Sequence, residues 1–253
     1  MLGDTLEKIA SEKAGIIKKN VPVVIGEITE IKSVFENKAT EMNSSIVFAD
    51  EQWQTKSVFQ TENALHLTFF NAEKEFEIEN QLSGFYQIKN SKTVLSCCEI
   101  LKDNGWNISH EDILKGFKNV KTNTGLRGRW DILQNQPTVV ADIAHNEAGI
   151  AAVLEQISKT KFNQLHIVLG MVKDKDINKV LSLLPTSAKY YFCQPDLPRA
   201  LSVDNLHASA LLLKLIGEKY SSVQLALNAA KSNASADDLI LITGSNFVVA
   251  EVI

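Results

Sequence analysis

The chain has 253 residues, of which 45% are hydrophobic and 22% charged, and a formal net charge of −4. This is the profile of a soluble globular protein with one large domain or two small ones, and the absence of bulk basicity excludes a nonspecific nucleic-acid binder. No apolar run approaches the ~18 residues of a membrane helix. The first 25 residues mix Asp, Glu and Lys with apolar positions, unlike a signal peptide. Cys97, Cys98 and Cys193 show no metal-ligand spacing, and the adjacent pair cannot easily bridge, which fits a reducing, cytoplasmic setting.

Asp4 followed by Glu7 reads as a capping box that opens a helix over residues 5–18. Leu6, Ile9, Lys13 and Ile16 recur at spacings of three and four, so they share one face, which is expected to be the buried one. VPVVIG (21–26) reads as a buried strand, and IVFAD (46–50) as another. LHLTF (65–69) alternates strictly, with EFEIEN (75–80) as its hairpin partner. Ser91 is expected to cap a helix running to Asp103 that buries Val94, Leu95, Cys98 and Leu101, stopped by Asn104-Gly105. Ser109 and Asp112 open a further short helix ending near Phe117. KTNTGLRG (121–128), polar and aperiodic with two glycines, is the best linker candidate.

Beyond residue 128 strands and helices alternate. Strands are expected at 130–134, 138–144, 165–170, 189–194 and 238–244. Helices are expected at 147–159, 175–184, 203–219, 226–234 and 245–252. Alternation with short connections predicts an α/β fold with a mostly parallel sheet covered on both faces. Ligands of such sheets sit beyond the carboxyl ends of the strands, where three polar loops fall: Asp142–Asn146, Lys173–Asp176 and Thr243–Asn246.

Within these elements a few residues carry chemistry. A lysine on an apolar helix face either snorkels its ammonium group to water or sits desolvated, which favours the neutral amine. A neutral amine at Lys13 can add carbon dioxide to form a carbamate, a carboxylate-like ligand for Mg²⁺. Asp142 interrupts an apolar strand, where Asp is disfavoured, and at the strand's end it can accept ribose hydroxyls or position a cation. Arg129, thirteen residues earlier, offers a fork of donors suited to phosphate. His145 and Asn146 stand at a helix entrance, where free N–H groups favour anions. Asn146 as a plain helix cap, with Asp142 paired to a nearby base, remains the alternative. The Lys173–Asp176 loop reads first as a solvated turn, and Gly244-Ser245-Asn246 is a weak anion cradle. No Gly-Lys dipeptide, GxGxxG or GxSxG occurs, which excludes a Walker A loop, a dinucleotide fingerprint and a nucleophile elbow within these residues.

LGDTLEKIASEKAGIIK, VPVV, GFYQIKN, GLRGRWDIL, ADIAHN, GMVKDKD and TGSNFVVAEV occur here in the order found in the folylpolyglutamate synthase/dihydrofolate synthase family of the Mur ligase superfamily, which the chain resembles over nearly its whole length. The resemblance implies that residues 1–124 form the C-terminal part of a Mur-ligase-type ATP-binding domain. Residues 125–253 would then form a complete Rossmann-like C-terminal domain. It implies a ligase that adds L-glutamate to dihydropteroate or to the γ-carboxyl of a folate through an acyl phosphate, as a monomer, with ATP and Mg²⁺ at two sites. By that similarity Lys13 is the carbamylated lysine at the second Mg²⁺, and Asn90, Arg129 and Asp142 contact the nucleotide. His145 and Ser245 bind the incoming glutamate or support turnover.

Two departures stand out. Glu147 occupies the place of the family's Pro after His-Asn, and Trp130 that of its Phe. The family's Gly-rich phosphate loop and first-metal ligands are not found in this sequence, so the chain is expected to be an inactive fragment by itself, with unpaired edges and exposed apolar faces in residues 1–120. Another Mur-type amino-acid ligase, or a noncatalytic nucleotide-binding module, is the competing reading.

Overall fold

The computed structural model describes residues 5–173 and 177–253. The chain divides into two compact units. One comprises the residues up to Gln81 together with Tyr86–Val120; the other comprises Leu82–Phe85 and Lys121–Ile253.

The first unit begins with α1 (Leu6–Ala14). Asp4, expected to cap it, lies outside the described residues; Thr5 is the N-cap, its side chain accepting from the Lys8 amide. The expected burial of this helix is inverted. Ala10 and Ala14 are buried, as is Ile17 beyond the helix end, whereas Leu6 and Ile16 are 55% and 78% exposed and Lys13 is exposed with them. The small alanines let the helix approach α2 (Lys32–Glu41) closely, while the larger residues face outward. Hydrophobicity gave the right period but the wrong face.

β1 (Val23–Ile25) and β2 (Ile46–Phe48) form a two-stranded parallel sheet, with Val23 opposite Ile46. Expected to be buried, β1 is half-buried throughout. After the single turn α3 (Ala49–Gln52), strands β3 (Gln54–Gln60), β4 (Leu65–Phe70) and β5 (Glu75–Asn80) make an antiparallel meander. The alternation that marked β4 is real: Leu65, Leu67 and Phe69 are buried, and across the β4–β5 ladder Leu67 stands opposite Ile78 and Phe69 opposite Phe76. Trp53, fully buried, packs edge-on against Phe76 with ring centres 5.8 Å apart.

α4 (Gln87–Asp103) starts four residues before Ser91, whose buried hydroxyl instead accepts from the Asn80 side-chain amide. Leu95 is buried as expected, but Val94 and Leu101 are exposed. With Asn90 and half-buried Cys97 they fall at i, i+4, i+7 and i+11, the outward stripe of the helix. α5 (His110–Lys118) opens with the expected Ser109/Asp112 capping box.

The second unit opens with α6 (Val120–Thr124), so part of the segment expected to be an aperiodic linker is helical. The remainder is tied down by Asp131. This buried carboxylate accepts from Lys121 Nζ at 2.8 Å, from Arg127 Nε and from the Gly128 amide. Burial alone would raise the Asp131 pKa, but the hydrogen bonds from Lys121 and Arg127 outweigh it and hold the carboxyl below the usual range.

β6 (Asp131–Asn135) and β7 (Thr138–Ala141) form a hairpin, joined by four parallel-strand elements in the sheet order β10-β9-β8-β11-β7-β6. The others are β8 (Leu165–Leu169), β9 (Lys189–Cys193), β10 (Gly217–Tyr220) and β11 (Leu239–Thr243). Only the β6–β7 pair is antiparallel. α7 (Glu147–Ser158), α8 (Ile177–Leu183) and α9 (Val203–Leu212) cover one face through Ile150, Val153, Leu181 and Leu206. α10 (Val223–Asn233) and α11 (Asn246–Ala250) cover the other through Ala226, Leu227 and Val248. β8 and β11 are buried at every position and apolar except for His166 and Thr243, as central parallel strands covered on both faces are.

The helix expected over 203–219 is two elements. It stops at Leu212, the chain turns through Lys214 at φ +60°, and β10 then pairs with β9 as a polar edge strand. A lysine in the left-handed turn and the sequence Gly-Glu-Lys-Tyr carry none of the usual stop or strand signals. Gly217 carries the structural demand, since a Cβ there would lie 2.1 Å from the Tyr190 carbonyl oxygen.

Candidate functional site

In the second unit the sequence-selected residues gather at the carboxyl ends of β7 and β11. The interval between Arg129 and Asp142 is explained by the β6–β7 hairpin, whose register sets Asp131 opposite Ala141 and so returns the two residues to one end of the sheet. The expected strand to residue 144 ends at Ala141, because the Asp142 carboxylate turns the chain. Its Oδ1 accepts from the Ala144 amide at 2.9 Å and its Oδ2 from the Trp130 amide at 2.8 Å. Trp130 sits at φ +50° and Gly128 at φ +71°, so this bond holds a tightly turned loop on which Arg129 is carried. Arg129 is half-buried, with Nη1 3.4 Å from the Gly128 carbonyl. Asp142 is itself 3% exposed. Its observed work is to fix the Arg129–Trp130 loop, since both oxygens already accept backbone hydrogen bonds.

His145 follows directly. Its Nδ1 lies 2.9 Å from the Ile143 carbonyl oxygen. A carbonyl can only accept, so Nδ1 carries the proton and Nε2 is the ring atom left for other chemistry. Asn146 caps α7 by accepting from the Gly149 amide, as the plain reading anticipated. Glu147 is the first residue of α7, exposed, with a carboxylate oxygen 3.7 Å from Lys179 Nζ.

β11 is stitched to this loop. The Ala144 carbonyl accepts from the Gly244 amide at 3.0 Å and the Thr243 hydroxyl at 3.1 Å. Gly244, at φ +108°, permits an approach in which any Cβ would sit 2.2 Å from the Gly170 carbonyl oxygen at the end of β8. Ser245 comes next, 2% exposed, its hydroxyl oxygen accepting from the Val248 amide and its own proton remaining available to donate. Arg129, Asp142, His145 and Ser245 are thus brought to one edge by three strand ends. Of the third expected loop only Lys173 is described; Asp174–Asp176 lie outside the described residues.

Lys13 and Asn90 belong to the first unit. Both are exposed, and the Asn90 side-chain amide donates to Gln87 Oε1 at 2.9 Å. The desolvated lysine expected from the helix pattern is therefore corrected: Lys13 stands in solvent in this chain, because Ala10, Ala14 and Ile17 provide the packing face.

Asp131 is a residue that sequence reading passed over. It anchors the loop before Arg129 from the opposite side to Asp142, and its signal was an aspartate at the first position of an edge strand, three residues after a glycine.

A divalent cation of the Mg²⁺ kind needs several oxygen ligands. Among the described residues no three His, Cys, Asp or Glu side chains converge to hold one. Asp142 is committed to amides and Lys13 bears an ammonium group, so these residues by themselves do not fit the metal. A phosphate group is better served, by the Arg129 guanidinium.

Residues 128–246 match the family model of the Mur ligase, glutamate ligase domain. Over its whole length the chain is 29% identical to the dihydrofolate synthase/folylpolyglutamate synthase of Bacillus subtilis, covering 58% of that protein. Among solved structures it is similar to E. coli FolC in complex with DHPP and ADP (TM-score 0.81, 27% identity, 99% of this chain and 56% of that one). It is also similar to Mycobacterium tuberculosis folylpolyglutamate synthase complexed with ADP and AMPPCP (TM-score 0.84, 25% identity, 99% of this chain and 59% of that one). The chain therefore spans somewhat more than half the length of these relatives. It is a homologue of the folylpolyglutamate/dihydrofolate synthases, within the Mur ligase family of acid–amino-acid ligases.

Proposed function

We propose that the chain supplies the second half of an ATP-dependent ligase that joins L-glutamate to dihydropteroate or to the γ-carboxyl of a folate. In this reading ATP phosphorylates the acceptor carboxylate, and the glutamate amine then displaces phosphate. Residues 1–124 act as the later part of the ATP-binding domain, contributing Lys13 and Asn90; residues 125–253 act as the C-terminal domain. Arg129 meets nucleotide phosphate, with Asp142 holding the loop that presents it. The Nε2 atom of His145 and the Ser245 hydroxyl serve the incoming amino acid. A carbamate on Lys13 would supply oxygens to a metal, which the bare ammonium cannot do. Nucleotide, folate acceptor and glutamate are the partners; localisation in the cytoplasm goes with that metabolism, and among the described residues no helix is long and apolar enough to cross a membrane.

The observation that carries the proposal is the double anchoring of the Arg129 loop, by Asp131 on one side and Asp142 on the other, at the carboxyl edge of a parallel sheet. Such preorganisation is what phosphate capture requires, since it lowers the ordering cost on binding. These residues include no Gly-rich phosphate loop, so the 253-residue chain is expected to bind nucleotide weakly and to release no phosphate from ATP in the presence of dihydropteroate and glutamate. Calorimetric titration with MgATP checks the first expectation. Loss of the heat in Arg129→Ala supports the ligase half-site, and equal heat in that variant, or none in the unmodified chain, refutes it. Phosphate release by the chain alone would overturn the second. A noncatalytic nucleotide-binding module shares the first expectation and differs by failing to complement a phosphate-loop-bearing half in trans.

A further inference from the structure

Leu82–Phe85 lies in sequence between β5 and α4 but belongs with the second unit. It forms neither helix nor strand, yet Leu82 and Ser83 are buried. Loops usually run over the surface, because a buried one must find partners for its backbone polar groups. Here α7 provides one. The Phe85 amide donates to Gln156 Oε1 at 2.7 Å, and Gln156 is fully buried. Glutamine is seldom buried completely, and α7 otherwise buries Ile150, Val153 and Ile157. The amide that it receives explains a side-chain carbonyl at this one place. Lys159 Nζ lies 4.8 Å from the centre of the Phe85 ring, so the side chain is held as well as the backbone.

The same segment meets the loop that carries Arg129. The Ser83 hydroxyl donates to the Trp130 carbonyl at 3.5 Å, a long bond between residues far apart in sequence. Trp130 is buried in one core with Ile150 and Val153, and its backbone sits at φ +50°. A bulky residue stays in the left-handed region only where its surroundings hold it there. Both of its peptide groups are held: the Trp130 N–H donates to Asp142, and the Trp130 carbonyl accepts from Ser83. Asp142 fixes one side of the residue. The segment 82–85 fixes the other, and Gln156 fixes the segment.

From this we infer that residues 82–85 are a strap, latched by Gln156, that positions the Arg129 loop, so that Gln156 and Ser83 are positioning residues for phosphate capture at Arg129. The mechanical link stands on contacts within the second unit; its use in phosphate capture rests on the ligase reading and deepens it. Neither residue needs to touch a ligand. Leaving the buried Phe85 amide without an acceptor favours release of the strap. A released strap lets Trp130 leave its left-handed conformation, and Arg129 turns with it.

The test is amide hydrogen exchange on the full chain, with the Trp130 amide read against those of β8 and β11. Gln156→Met keeps the length of the side chain and removes the acceptor. In this variant the ratio of the Trp130 rate to the β8 and β11 rates should rise about tenfold. Ser83→Ala, the milder change, should raise it about threefold and serves where Gln156→Met does not fold. Ser83→Thr keeps the hydroxyl and should leave the ratio near that of the unmodified chain. A merely structural role would quicken all these amides together through global opening and leave the ratio unmoved. MgATP affinity, measured by calorimetry, should fall in the same order, by about tenfold and threefold. An unmoved ratio in the folded variants, or full MgATP affinity in them, would overturn the inference. If the unmodified chain binds no MgATP, the ligase reading falls with the role in phosphate capture, and the exchange ratio alone decides whether the strap positions the loop.

Discussion

Both units contain parallel strands of three to five residues, yet they solve the burial of those strands differently. In the second unit β8 and β11 have neighbours on both sides and helices above and below, and every one of their ten positions is buried. In the first, β1 and β2 have only each other within the described residues, and of their six positions only Phe48 is buried. Elsewhere in that unit Leu6, Ile16, Val94, Leu101 and Trp106 are exposed. Parallel pairs are stable mainly when both faces are covered, so the second unit carries its own core while the first leaves apolar surface and unpaired strand edges open. Apolar patterning says that a face wants cover. It does not say whether the same polypeptide provides it.

Amide hydrogen exchange gives the largest expected effect of this difference. Amides of β8 and β11 should exchange only through global opening of the second unit, whereas those of β1, β2 and β3, which is exposed at every position but its last, should exchange orders of magnitude faster. Uniform protection across the two units would break the comparison. It can be sharpened by substitution. Ile167→Ala removes a fully buried side chain from the central sheet and should cost about 2–5 kcal/mol in denaturant unfolding, whereas Leu6→Ala, at an exposed site, should stay within about 0.5 kcal/mol.

The same contrast accounts for what the sequence made legible. The second unit's mostly parallel sheet was legible in the alternation of apolar runs and capped helices, and two of the expected polar loops, Asp142–Asn146 and Thr243–Asn246, fall at strand ends, where a doubly covered parallel sheet opens. The strand–turn at Asp142 was visible as an aspartate in an apolar run. The edge strand β10 was not, because an edge needs little hydrophobicity and its close approach is made by Gly217, one glycine after a helix-like stretch. In the first unit the period of α1 was legible but its inward face was not: Ala10 and Ala14 score as less apolar than Leu6 and Ile16, and only packing against α2 selects them. Lys13 was misplaced for that reason. Its place in the motif rests on resemblance, while its burial would depend on whatever covers Leu6 and Ile16.

Acid stability should separate the units as well. His166 is fully buried in β8, its Nδ1 3.0 Å from the Tyr191 hydroxyl and its Nε2 3.3 Å from Asp238 Oδ2. The carboxylate accepts from Nε2–H and the tyrosine donates to Nδ1, an arrangement that satisfies the neutral ring. Burial pushes the imidazole pKa down, with Lys189 adding to this, and Asp238 only partly opposes them. The unfolded chain takes up a proton near pH ~6.5 and the native ring resists it. Stability from this group is therefore present above that pH and lost as pH falls below it toward the native value. Asp131 and Asp238, held below the usual carboxyl range, contribute stability above pH ~4 that disappears as pH falls through their native values. The melting temperature of the second unit should thus fall in two stages on acidification from pH 8 to 3, and His166→Gln should abolish the upper stage alone. A single carboxylate-range transition in the unmodified protein would show that the His166 network is not linked to folding.

The smallest effect concerns Glu147. As the first residue of α7 it occupies the position where proline is best tolerated, since that amide has no intrahelical partner. Its pair with Lys179 is long and solvent-exposed on both sides, worth about 0–1 kcal/mol. Glu147→Pro should leave unfolding free energy within about 0.5 kcal/mol, the loss of the pair being offset by a stiffer unfolded chain. Anion binding should respond in a direction that stability does not: a carboxylate beside His145 at a helix entrance repels a second negative group. Glu147→Pro and Glu147→Gln should therefore both tighten phosphate binding modestly, about two- to fivefold at low salt. If only the proline variant tightens it, loop rigidity rather than charge sets the anion affinity of this edge.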